Sequence, residues 1–299
     1  MRFSDFYNKG QFKYTVEVFP PKTEEGRRNL IGVVKKLEVI DPAYCSVTYG
    51  AMGTTREYTK DLAFEVYDQI KSHTAFHFTC VGMNKTEIKK YVDVLYQKGV
   101  DLVVALRGDW PAKEHPSQTA DSLVYANELV AYLKGLHNFS IAVAGYPEKH
   151  PEAPDLKTDI INLKRKVDAG ADLIITQMFF ENKIFYHWLK NIRDAGITVP
   201  VIPGVMPVLK LDQIRLITQK CGTTLPDSLI ARLTDCGADE TAMRQVGIEH
   251  AVSQCRDLIQ NGVPGIHFFC LNKSYSVLKI VEACRDLVKM DDKKNGCVH

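Results

Sequence analysis

Eight short runs of β-branched, aliphatic and aromatic residues recur along the chain, and longer stretches with helical periodicity separate them. The runs span 14–19, 44–49, 75–80, 101–106, 140–144, 172–177, 200–202 and 265–270. Most are apolar on both faces, as in Leu102-Val103-Val104-Ala105-Leu106 and Leu173-Ile174-Ile175. A strand reads this way when both faces are covered, as in a parallel sheet flanked by helices.

Between the runs, apolar residues fall three and four apart. Leu30, Val33, Val34 and Leu37 form one stripe, with Arg27, Arg28, Lys35 and Lys36 elsewhere around the helix. Leu129, Val130 and Leu133 form a second. Ile160, Ile161, Leu163 and Val167 form a third, which Gly170 ends. Strand–helix repeats with short connections give a parallel sheet with right-handed crossovers, and eight of them close into a barrel. The competing open, doubly wound sheet usually carries a GxGxxG turn after an early strand. Neither that pattern nor a Walker A sequence occurs. The expected fold is therefore α/β, a (β/α)8 TIM barrel forming a single catalytic domain over 1–299. Residues 204–264 leave room for extra helices before the last strand, including one over 241–259. The polar end, 289–299, is expected to be a disordered tail.

A formal net charge of +2 over 299 residues gives no basic field for nucleic acid. No apolar run approaches the ~20 residues of a membrane span. The opening Met1-Arg2-Phe3-Ser4-Asp5 has no signal-peptide core, so a cytoplasmic location is expected. The eight cysteines are scattered and form no CxxC pair, so neither a metal site nor an iron–sulfur cluster is expected.

In a barrel of this kind the chemistry gathers at the C-terminal ends of the strands. Here those ends carry Glu17, Thr48-Tyr49-Gly50, His77 with Thr79, Arg107-Gly108-Asp109, Tyr146 with Glu148 and His150, Thr176-Gln177 and Asn272-Lys273. The seventh run leads into Pro203-Gly204-Val205-Met206-Pro207, read as a rigid turn without an ionisable group. Glu17 sits between Val16 and Val18, where a carboxylate must be paired, protonated or useful. Burial would raise its pKa toward neutrality, as suits a general acid; the alternative is a pair with a nearby Lys or Arg. Arg107 and Asp109 straddle a glycine that permits unusual dihedrals. They read either as a phosphate fork and a ring acceptor or as a local ion pair. His77 is a satisfied core histidine or a ligand contact, and so is His150 in its loop. Gln177 suits an amide or a pterin-like ring, or a satisfied buried amide. Lys164 and Arg165 read as a solvated helix face.

Read together, these segments resemble one family. Glu17-Val18-Phe19-Pro20-Pro21-Lys22, Ser46-Val47-Thr48-Tyr49-Gly50, Ala105-Leu106-Arg107-Gly108-Asp109, Tyr146-Pro147-Glu148-Lys149-His150-Pro151-Glu152, the stretch from Asn162 to Ala171, Ile175-Thr176-Gln177 and Ile202-Pro203-Gly204 resemble methylenetetrahydrofolate reductase, in that family's order, over about residues 13–275. The resemblance implies a barrel with tightly bound FAD. A reduced nicotinamide, NADH or NADPH, reduces the flavin and leaves. Methylenetetrahydrofolate then takes its place and is reduced to methyltetrahydrofolate, in one-carbon metabolism and methionine supply.

Carried over by resemblance, Glu17 matches the general acid. Asp109 matches the acidic residue near flavin and pterin, and Gln177 the substrate-contacting amide. Thr48, His77, Arg107, Gly108, Asp109, Tyr125, Ala126, Ala144, Tyr146, His150, Asp159 and Lys166 fall at FAD-holding positions. Glu17, Tyr49, Gln177 and Lys273 fall at substrate positions. Lys166 thereby leaves the solvated-face reading given to its neighbours. Two departures stand out. Lys273 replaces an arginine that reaches the folate's glutamate tail, keeping charge but losing the bidentate fork. Ile217 replaces an aromatic that sandwiches substrate. The family commonly self-associates, so a homo-oligomer is expected. The chain resembles the compact bacterial type, so inhibition by adenosylmethionine is not expected. Two other readings stay open: a related flavin barrel fed by a separate electron-transfer subunit, and a non-redox barrel.

Overall fold

The computed structural model describes residues 2–7, 10–48, 56–70, 73–109 and 121–295. Among them, eight parallel strands close in chain order: β1 (Lys13–Val18), β2 (Tyr44–Val47), β3 (His73–Thr79), β4 (Leu102–Leu106), β5 (Ser140–Gly145), β6 (Leu173–Met178), β7 (Val201–Val205) and β8 (Gly265–Phe269), with β8 paired back to β1. The covering helices are α1 (Glu24–Leu37), α2 (Arg56–Gln69), α3 (Lys85–Gln97), α4 (Ala126–Leu136), α5 (Leu156–Asp168) and α6 (Asn182–Asp194). Then α7 (Leu211–Cys221), α8 (Asp227–Asp235) and α9 (Glu240–Gln260) precede β8, and α10 (Ser274–Asn295) follows it. Every expected strand is present, and the long penultimate connection carries three helices.

Local chemistry sets the helix starts. Thr23 accepts the Gly26 N–H at 3.1 Å, and Asn84 and Glu87 form a reciprocal capping box. Asp155 accepts the Thr158 N–H at 2.7 Å. Each such cap is worth ~1 kcal/mol. The apolar helix stripes then close on the outer strand faces: Leu30, Val34, Leu37, Leu129, Val130 and Leu133 are all buried. The aromatic shell includes Phe179 stacked on Phe185 at 5.1 Å between centroids.

Three expectations need correction. Ile161 is 46 % exposed, because the stripe of α5 narrows to Ile160 and Leu163. The segment 203–205 is strand rather than turn. Pro203 and Gly204 lie inside β7, where the β6 register shifts between Ile175 and Met178, and the Gly204 N–H bonds the Thr176 hydroxyl at 2.9 Å. An irregular ladder is where a residue without an N–H can sit in a sheet. Finally, α10 continues the chain as helix to Asn295, so most of the expected tail is regular; 296–299 lie outside the described residues.

The bore is closed from below by a 3₁₀ turn, Phe3–Phe6. Phe3 is fully buried among Tyr44, Leu102, Val104, Leu173, Ile175 and Ile202, and its N–H bonds the Ser140 hydroxyl at 2.8 Å. No helix among the described residues is long and apolar enough to cross a membrane.

Candidate active site

Strand alternation divides the bore into two chemistries. On the β4–β7 side its lining is aliphatic: Leu102, Val104, Ala142, Leu173, Ile175 and Ile202. On the other side β8, β1 and β3 bring Thr15, Glu17, His77 and His267 together. Oε2 of Glu17 lies 3.4 Å from Nε2 of His267 and 3.4 Å from Nε2 of His77. Nδ1 of His267 and the Thr15 hydroxyl are 2.8 Å apart. Period-two spacing causes this: Thr15 and Glu17 share one face of β1, and the β1–β8 register sets Thr15 opposite His267.

This environment reverses one expectation. Burial does push Glu17 upward, but the charge of His77 and the hydrogen bond and charge of His267 outweigh it. The carboxyl therefore sits below its ordinary range. The partner is a pair of imidazoles rather than a Lys or Arg. His77 is itself lowered by burial, against the pull of Glu17. Of the two imidazoles, His267 is the one hydrogen-bonded to the Glu17 carboxylate, at 3.4 Å, and a proton can pass along that bond.

Around the mouth, Nε2 of His77 and Oγ1 of Thr48 are buried without a hydrogen-bond partner among the described residues. The Gln177 carboxamide oxygen accepts the Met178 N–H at 3.0 Å. Gly108 has φ 87, and a Cβ there would meet the Thr79 side chain at 2.9 Å. Asp109 is exposed, and its charge helps raise the Tyr146 phenol and the Cys221 thiol, whose chief cause is burial. Tyr49 lies outside the described residues.

Arg107 does not pair with Asp109. Its guanidinium forks onto Glu152, with Nη2 2.7 Å from Oε1 and Nη1 bonded to Oε2, while Nε donates to the Gly108 carbonyl at 3.0 Å. Glu152 is carried on the loop before α5 and is held below the usual carboxylate range by that guanidinium.

Beside the mouth opens a cavity of about 630 Å³, lined by Arg107, Tyr125, Ala126, Tyr146, His150, Asp159 and Lys166 among others. Seven of the twelve residues assigned to FAD by resemblance line this one space, while Thr48, His77, Gly108, Asp109 and Ala144 are not in its lining; its volume is ordinary for small-ligand sites. Lys166 points inward from α5 and donates to the Ala144 carbonyl at 2.6 Å. Burial brings its ammonium down to about 8, against the pull of Asp159. Of its neighbours, Lys164 pairs with Asp168 on the helix surface, whereas Arg165, exposed and bonded to Asn162, joins Asn162 in the cavity lining, contrary to the solvated-face reading. Asp159 is raised by burial and accepts the His150 N–H at 3.2 Å. His150 packs edge-on to Tyr146 at 4.7 Å between centroids.

Two residues stand apart from these groups. Lys273 is exposed just past β8, and Ile217 is half-buried on α7 beside the cluster of Met178, Phe180 and Met206. Sequence reading missed His267 and Thr15; it marked Asn272 at a strand end and quoted Glu152 in a family-like segment but gave neither a role. The signal for His267 was present: like Glu17, it is an ionisable residue inside an otherwise apolar run, Gly265-Ile266-His267-Phe268-Phe269.

Comparison with known proteins identifies the family. The family model described as methylenetetrahydrofolate reductase matches residues 2–285. The methylenetetrahydrofolate reductase (NADH) 1 of Zea mays is 34 % identical over 284 residues, covering 91 % of this chain and 48 % of the maize protein. The chain thus spans about half the length of the plant relatives it matches. The 5,10-methylenetetrahydrofolate reductase of Escherichia coli K12 is 33 % identical over 266 residues, covering 89 % of this chain and 88 % of that protein. An uncharacterized protein from Clostridium thermocellum, solved with two copies of 5-methyl-5,6,7,8-tetrahydrofolic acid, shares the fold at TM-score 0.66 and 12 % identity, over 97 % of this chain and 100 % of that one. With the barrel, the convergent cavity and these matches in hand, the chain belongs to the methylenetetrahydrofolate reductase family.

Proposed function

We propose that this chain is a cytoplasmic barrel that reduces methylenetetrahydrofolate to methyltetrahydrofolate, with FAD as resident cofactor and NADH or NADPH as electron donor. The observation that carries the reading is the Glu17 carboxylate, set between two imidazoles in a barrel that also holds a cavity lined by Lys166, Arg107 and Tyr146. The described residues suit FAD. Thr48 Oγ1 and His77 Nε2 are buried polar atoms awaiting partners. A half-buried Lys166 would offer charge to a diphosphate, as would the Arg107 guanidinium on exchanging Glu152 for it. When bound, FAD supplies the ring that accepts and returns hydride.

The remaining steps belong to side chains. Glu17 protonates the bridging ring of the folate, opening it toward a reducible iminium. His267 resupplies the proton across its 3.4 Å hydrogen bond. A carboxyl held low in the ligand-free protein becomes a better acid once a bound pterin excludes water from it. Gln177 offers amide N–H groups to the pterin. Lys273 offers a point charge to the glutamate tail, and Asp109 takes a ring N–H.

The test is an anaerobic visible spectrum of the purified protein, followed in one cuvette by NADH and then methylenetetrahydrofolate. Bleaching by NADH and recovery with the folate are expected. Flavin that ignores NADH and NADPH, yet after chemical reduction is reoxidised by the folate, would instead indicate a protein electron donor. Absence of flavin after added FAD would overturn the proposal.

A further inference from the structure

The end of β8 is joined to the end of β1 by a side chain acting as a peptide unit. The regular β1–β8 ladder runs to Glu17 opposite Phe269. Beyond it the backbone after Cys270 turns left-handed twice, with φ 50 at Leu271 and φ 55 at Asn272. The ladder should stop there. Instead, Oδ1 of Asn272 accepts the Phe19 N–H at 3.0 Å, and Nδ2 of Asn272 donates to the Phe19 carbonyl at 2.8 Å. A carboxamide has the donor and acceptor of a peptide group, so it extends the pairing past the point where the backbone leaves the sheet. Cys270 adds a second tie: its thiol donates to the Glu17 carbonyl at 2.9 Å. The Lys273 N–H closes the turn on the Cys270 carbonyl at 2.9 Å.

Consecutive left-handed residues other than glycine are strained and persist only where surrounding bonds over-determine them. Here those bonds tie together two segments with separate tasks. Glu17 lies two residues before the clamped Phe19, and Lys273 follows Asn272 directly. We propose that Asn272 is a positioning residue for the folate: its two-bond clamp on Phe19 fixes the acid at the pterin end and the cation offered to the glutamate tail as one rigid span. The inference rests on the folate-reductase reading above. Asn272 acts through Glu17 and Lys273 and does not itself touch the flavin cavity, whose lining it does not join.

Asn272→Gly separates positioning from backbone comfort. Glycine adopts the left-handed turn without penalty but cannot form the clamp. The expected result is a fall of about tenfold to a hundredfold in kcat/KM for methylenetetrahydrofolate, with the rise in KM dominating. Flavin content and the rate of bleaching by NADH should stay within about twofold of wild type, since neither uses this span. Asn272→Asp, which can accept from Phe19 N–H but not donate to its carbonyl, should share the defect. Wild-type folate kinetics in Asn272→Gly would overturn the proposal. So would a parallel loss of flavin retention and NADH reduction, which would mark general loosening. A wild-type protein that keeps no flavin and binds no methyltetrahydrofolate would overturn this inference and the proposed function together, whereas failure in the variant alone touches only Asn272.

Discussion

Nε2 of His267 lies 3.4 Å from Oε2 of Glu17, deep on the polar side of the bore. The other ring nitrogen is held by the Thr15 hydroxyl at 2.8 Å, so the imidazole cannot turn away from the carboxylate. His267→Ala removes one of the causes that lower Glu17 and strands the Thr15 hydroxyl. It should destabilise the protein by ~1–3 kcal/mol in urea at neutral pH. The acid side carries a sign. A depressed carboxyl contributes stability above its unfolded value, and that contribution is lost as pH falls through the folded value. The variant should therefore lose less stability on acidification than wild type. Equal losses in both would contradict the coupling.

Glu17→Gln keeps size and hydrogen bonding but cannot give up a proton. Flavin retention and bleaching by NADH should persist, while folate turnover falls by ~10²–10⁴-fold. Stopped-flow spectra of the two half-reactions separate these outcomes. Normal folate turnover in this variant would remove Glu17 from the acid role.

Lys166 makes cofactor affinity depend on pH. Its ammonium, brought down to about 8 by burial, is charged below that value and neutral above it. A dinucleotide diphosphate prefers the charged form, so the Kd for FAD should be flat below pH ~8 and rise by at most ~tenfold per unit above it. Lys166→Met should bind FAD more weakly and without the break. The lowered pKa also means that the FAD-free fold gains stability as pH rises from about 8 toward the ordinary lysine value, because the unfolded chain then holds the extra proton. Fluorescence titration of FAD and urea midpoints on either side of pH 8 check both signs.

Two glycines should respond oppositely to alanine. A Cβ on Gly204 would run into the Thr176 carbonyl and the Phe269 ring, so Gly204→Ala should cost ~1–3 kcal/mol through displacement of β7. Gly32, in the middle of α1, has nothing within 4 Å of an added Cβ, and Gly32→Ala should gain ~0.5–1 kcal/mol from helix propensity. Urea midpoints of the two variants, measured side by side, decide the comparison; a stabilised Gly204→Ala would contradict the close approach seen at β7.

The sequence alone determined the eight strands, their parallel pairing and the helices over them, because doubly apolar runs and three-four periodicity are local properties of side-chain order. It also marked the strand ends that carry Glu17, Arg107 and Gln177, since those positions follow from where each run stops. Only the tertiary structure decided who faces whom. Glu17 meets His77 and His267 across β1, β3 and β8, contacts separated by as many as 250 residues, and that company turns an expected upward shift into a downward one. Arg107 takes Glu152, 45 residues away, over Asp109 two residues away, because its guanidinium reaches the loop before α5. Asn272 completes a ladder that its own backbone has left. Pairings of this kind depend on barrel closure and register, which bring distant residues within hydrogen-bond reach and have no counterpart in local spacing.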